Sequence, residues 1–123
     1  MICPLSVLAS WMAEIGRWTP SFAAVRFHGQ IPERERLKNL CKEKQFDIYV
    51  TSYEQFVSER GWFGNRAWKY VVVDEGILHR NESDIGHCLK NDQTQLAHAV
   101  QTLNSEYRLL LTGTPLQKYI PFM

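Results

Sequence analysis

The sequence predicts an α/β fold, a three-layer αβα arrangement built on a mainly parallel sheet, and three observations carry that expectation. Short β-rich runs alternate with longer segments of helical period along the whole chain. The strongest run, residues 69–73, holds three consecutive valines. Several runs end in acidic or hydroxyl-bearing residues. Strand–helix–strand order implies right-handed crossovers, and therefore parallel strands with helices on both faces. An uninterrupted apolar strand suits a sheet buried on both sides. At 123 residues the chain has the size of one domain with one core.

The elements follow in order. After Pro4, the residues Leu5, Leu8, Met12, Ile15 and Trp18 recur at three- and four-residue steps, which predicts an amphipathic helix stopped by Thr19-Pro20. Residues 23–27 form a short β run closed by His28-Gly29. Pro32 then opens a charged helix, ERERLKNLCKEK, with Leu37, Leu40 and Cys41 on one face. Residues 46–51 read as a strand, 53–59 as a short helix, and 61–65 (GWFGN) as a turn-rich connection. The valine strand ends in Asp74-Glu75-Gly76, and residues 77–95 are polar. Leu96, Ala99, Val100 and Leu103 mark another helix, and residues 107–111 a last apolar strand running into Thr112-Gly113-Thr114-Pro115.

Composition excludes more than it assigns. The apolar share of 45% and charged share of 22% suit a globular chain, not a coiled coil or a disordered one. A net charge of +1 provides no global field to draw in polyanions, so any nucleic-acid contact rests on a few placed groups. Cys3, Cys41 and Cys88 are odd in number and far apart, which suggests reduced thiols, not disulfides or zinc ligands. No run approaches the ~18 apolar residues of a membrane span, and the start lacks the pattern of a signal peptide.

In a parallel sheet, ligands bind beyond the carboxyl ends of the strands, where the polar motifs sit. VVVDE, residues 71–75, can aim Asp74 at a magnesium ion and Glu75 at a water attacking a γ-phosphate; its plainer reading is a strand running into an acidic turn. In LLLTGTPLQ, residues 109–117, Gly113 permits a tight turn while Thr112 and Thr114 supply hydroxyls to a neighbouring loop or a phosphate. Ser6, at a helix start, and Thr51 and Ser52, at a strand end, are natural partners for a phosphate backbone, although helix capping is the better reading of such residues taken alone. The four tryptophans fall at apolar positions and read as packing residues rather than base-stacking platforms. His28 and His98 read as structural or surface residues, and the charged helix at 33–44 as a solvated face with local ion pairs.

These motifs occur in the order found in superfamily 2 helicase-like ATPases of the Swi/Snf chromatin-remodelling type. CPLSVLASWMAEIGRWTP resembles that family's motif Ia region, FHGQIPERERL the strand and helix that follow it, TSYE motif Ib, VVVDEG the Walker B box and LLLTGTPLQ motif III. The resemblance covers residues 2–117 and is nearest to the imitation-switch and lymphoid-specific-helicase branches. It implies a partial RecA-like helicase lobe 1, the N-terminal lobe of a DNA translocase that uses ATP and magnesium. By that likeness Asp74 holds magnesium, and Glu75 orients the attacking water. Thr112, Gly113 and Thr114 couple the nucleotide site to DNA. Ser6, Thr51 and Ser52 lie near the DNA track. The implied partners are double-stranded DNA or nucleosomes and a second RecA-like lobe, with no membrane, and the implied location is the nucleus.

The departures from the family carry expectations of their own. The family's GxGKT-type phosphate loop lies upstream of motif Ia and is expected to be missing here, as is the second lobe. The chain alone is therefore expected to be inactive as an ATPase, or to be a non-enzymatic truncated product that keeps only a DNA- or partner-binding surface. Residues 118–123, KYIPFM, depart from the family's polar continuation. The family also continues its acidic box directly with a histidine. Here, removing residues 77–86 (ILHRNESDIG) would restore Asp74-Glu75-Gly76-His87-Cys88-Leu89-Lys90-Asn91, which reads as an insertion that separates His87 from the box.

Overall fold

A computed structural model describes residues 1–74 and 87–111, with the backbone alone for residues 87–94. Its five strands form one sheet in the order β2-β3-β1-β4-β5. Every pairing is parallel. The strands are β1 (Ile2–Cys3), β2 (Ala24–Phe27), β3 (Ile48–Ser52), β4 (Ala67–Asp74) and β5 (Asn104–Leu111). The helices are α1 (Leu5–Trp18), α2 (Ile31–Glu43), α3 (Tyr53–Ser58), α4 (Arg60–Gly64) and α5 (His87–Thr102). The α/β class expected from the sequence is the one observed.

Two apolar clusters sandwich the sheet. On one side α1 sets Leu8 against Cys3 and Val50, with Val7, Trp11, Met12 and Ile15 packed around them. On the other, Phe27, Phe56, Phe63, Val71 and Val73 join Ala99 and Val100 of α5. Aromatic rings fill its centre: Phe27 stacks on Trp62 at 4.8 Å between centroids and meets Phe63 edge-on at 5.1 Å.

Several expectations change at the element level. β1 is unmarked in the sequence, because a strand of two residues is too short to show any period; it nonetheless takes the middle position. The valine strand is interior to the sheet, paired with β1 on one side and β5 on the other. The connection over residues 61–65 contains a short helix, α4, which turns Phe63 into the core and Trp62 against it. α5 begins at His87, so part of the polar stretch is helical. Trp18, expected to pack, is 70% exposed at the helix end, where its indole donates to Glu14 at 2.6 Å and Arg17 lies over its ring. The charged helix is more than a solvated face. Arg34 and Lys38 of α2 both clamp Glu59 after α3, at 2.9 and 2.8 Å.

Candidate functional site

The site begins with strand register. Ile2 pairs with Thr51 on one side and with Val73 on the other, so Cys3, Ser52 and Asp74, the residues that follow, form the carboxyl edge of three adjacent strands. Leu111 of β5 pairs with Asp74. Glu75 and Thr112, Gly113 and Thr114 lie outside the described residues, as do residues 77–86 and 118–123. His87 is described only as the first residue of α5.

Asp74 reaches this edge because Val71 and Val73 are buried in the core, which alternates the side chains of β4 and turns Asp74 to the opposite face. On that face lies α1, and the indole Nε1 of Trp11 donates to Asp74 Oδ2 at 2.8 Å. Beside them, burial raises the Cys3 thiol to about 11, helped by the negative charge of Asp74, so Cys3 stays protonated and donates weakly to the Thr51 carbonyl.

Ser52 caps α3 by accepting from the Gln55 amide at 3.3 Å, and its hydroxyl lies 3.4 Å from His28 Nδ1. Burial, with Arg26 next in effect, lowers the pKa of His28 and favours the neutral imidazole. Gly29 turns the chain here with φ 153°, and a β-carbon on it would lie 2.6 Å from Glu33 Cγ, so the position requires glycine. Ser6 makes no cap bond to α1, whose cap residue is Pro4. It is free to face a cleft of about 450 Å³, lined also by Pro4, Ser52, Glu54, Ser58 and Gln95.

The structure therefore brings Ser6 and Ser52 together in one cleft and sets Asp74 on the same sheet edge. Thr51 and Ser52 are each only 2% exposed, and the Thr51 hydroxyl lies toward the Ser52 carbonyl. Sequence reasoning missed Trp11 as a partner of Asp74, and no local pattern could have found it, since 63 residues separate the two. Among the described residues no cluster of three metal-ligating side chains occurs. A magnesium site asks for less: one or two carboxylates, with water and phosphate oxygens completing an octahedron. Asp74, a hard oxygen donor oriented by a hydrogen bond, fits that donor set.

The model of the SNF2-related domain matches residues 1–121. The chain belongs to that family. It is 36% identical over 118 residues to the ISWI chromatin-remodeling complex ATPase ISW2 of Saccharomyces cerevisiae, covering 95% of this chain and 10% of the yeast protein. It is 33% identical over 122 residues to the transcription regulatory protein SNF2 of the same yeast, covering 98% of this chain and 7% of that one. The Sulfolobus solfataricus SWI2/SNF2 ATPase core in complex with double-stranded DNA superposes with a TM-score of 0.71 at 33% identity, over 95% of this chain and 21% of the core. The SNF2-related chain thus spans a tenth or less of these curated relatives and about a fifth of that solved core. Its parallel sheet matches the RecA-like lobe of the SNF2 core. Relatives of the imitation-switch and Snf2 branches match it at similar identity, so identity does not separate the two.

Proposed function

We propose that the chain is part of the first RecA-like lobe of an ATP-dependent DNA translocase of the chromatin-remodelling type, acting in the nucleus on double-stranded DNA or nucleosomes. In this reading residues 1–117 form the lobe segment, 77–86 are an insertion within its acidic box, and 118–123 are a divergent tail. The observation that carries it is the common sheet edge, with Asp74 on one side of β1 and the Ser6–Ser52 cleft on the other. Asp74 is the carboxylate that faces magnesium, and Glu75 directs the attacking water. Thr112, Gly113 and Thr114 link the nucleotide to DNA, and His87 ties the box to motif III once residues 77–86 are removed. Ser6 takes a DNA phosphate oxygen without reading bases, while Thr51 and Ser52, both buried, support it from the sheet edge. When bound, magnesium supplies charge neutralisation at the phosphate oxygens.

One sequence feature favours a second, non-catalytic reading of the isolated chain: its 123 residues hold no GxGKT-type phosphate loop. Phosphate positioning and charge neutralisation supply most phosphoryl-transfer catalysis. The purified chain is therefore expected to show no DNA-stimulated ATP hydrolysis, yet to bind duplex DNA weakly and with steep salt dependence. Steady turnover by the chain alone, or DNA affinity unchanged between low and high salt, would contradict these expectations.

A further inference from the structure

We infer that Trp11 is a positioning residue for the Asp74 carboxylate, fixing from α1 the rotamer in which Asp74 meets a divalent metal. The inference rests on the reading of Asp74 as the metal-facing acid. Its physical basis is independent of that reading: a 2.8 Å bond from an indole N–H to Asp74 Oδ2, joining two elements 63 residues apart. An indole nitrogen only donates, so the bond fixes which Asp74 oxygen, Oδ2, turns toward α1.

The donor is itself held. Trp11 packs in the cluster of Cys3, Leu8 and Val50, with Met12 and Ile15 beside it on the same helix. A Trp side chain has two rotatable bonds, and packing restrains both. The amino end of α1 carries Pro4, Leu5 and Ser6 into the cleft next to Ser52. Trp11 follows Ser6 by five residues, roughly 7.5 Å along the helix axis. One rigid helix therefore reaches both the cleft and the acid. Hydrogen-bonded partners of metal ligands usually set ligand orientation, and their loss costs about 10- to 100-fold in metal affinity.

The test uses the chain itself, ¹⁵N-labelled, with Mn²⁺ as the probe. The Trp11 indole signal is assigned by its loss in Trp11→Phe, which keeps an apolar ring and removes the donor; the amide signals of Val50 and Thr51 report whether the fold persists. Asp74→Asn is expected to shift the Trp11 indole signal and leave that of Trp18 in place. Mn²⁺ is expected to broaden Trp11 selectively in the parent chain, and Trp11→Phe to weaken Mn²⁺ binding about tenfold. A Trp11 indole signal indifferent to Asp74→Asn overturns the contact. Unchanged Mn²⁺ affinity in folded Trp11→Phe overturns the positioning role. Broadening absent from Trp11 removes the metal from Asp74 and the proposal with it, while the Asp74→Asn shift would then still record the bond. Should Trp11→Phe fail to fold, Trp11→Leu takes its place, both to assign the indole signal and to measure the Mn²⁺ affinity, with the same outcomes.

Discussion

The place of Asp74 at the carboxyl edge of the parallel sheet was legible in the sequence, because the valine strand ends there. Ser52 was legible as a helix cap, and the structure shows it accepting from the Gln55 amide while only 2% exposed. The Trp11 contact was not legible, because periodicity says which face of a helix is apolar and nothing about the partner of a single N–H across the fold. Another residue-scale feature concerns the α-amino group of Met1, which donates to the Tyr49 carbonyl at 2.8 Å and is lowered to about 6 by burial. Its folded pKa lies below the ordinary 8.0 of an α-amino group, so the charged form is disfavoured in the fold. The associated stability is fully present above pH 8 and is lost as pH falls through about 6. The two-unit difference corresponds to roughly 2–3 kcal/mol. Urea unfolding of the free-amine chain is expected to show that rise between pH 5.5 and 8.5, and acetylation of the amine to flatten it; identical slopes with and without acetylation would refute the assignment.

At the scale of elements, the helices and the longer strands followed from spacing, while β1 and α4 did not. Two residues cannot display alternation, and β1 exists because Ile2 and Cys3 fill the gap between β3 and β4. The glycines of residues 61–65 mimic a turn, yet the burial of Phe63 and the stacking of Trp62 on Phe27 make a helical turn the better packing. That aromatic centre is the joint between β2 and α4. Phe27 is fully buried, and Phe27→Ala is expected to cost about 3–5 kcal/mol. Chemical denaturation checks it; a loss below about 1 kcal/mol would mean that the ring cluster is not the core of this half of the sheet.

The whole molecule shows the order and polarity expected of a parallel sheet, but its faces are unequally covered. α1 overlies the side of β1 and β3, whereas farther along that sheet Tyr70, Tyr107 and Leu109 stand at least half exposed, with Tyr70 stacked on Tyr107 at 5.0 Å. Among the described residues β5 pairs with β4 alone, which leaves an eight-residue edge. Exposed apolar faces beside open edges favour association. The isolated chain is expected to self-associate with concentration in sedimentation velocity, and Leu109→Lys to reduce that association; a parent chain monomeric at all concentrations would contradict this. No sequence pattern distinguished covered from uncovered valines and tyrosines, because both lie on strands of the same composition.

The proposed role depends most on Asp74, and it can be measured in a chimera that carries this chain in place of the matching fifth of the Sulfolobus solfataricus SWI2/SNF2 ATPase core. DNA-stimulated ATP hydrolysis is the readout. Deleting residues 77–86 is expected to raise turnover strongly, because a displacement of about 1 Å at a catalytic group can cost on the order of a hundredfold. In that deleted form, Asp74→Asn is expected to lower turnover by about a hundredfold or more. Equal turnover with aspartate and asparagine at position 74 would contradict the account.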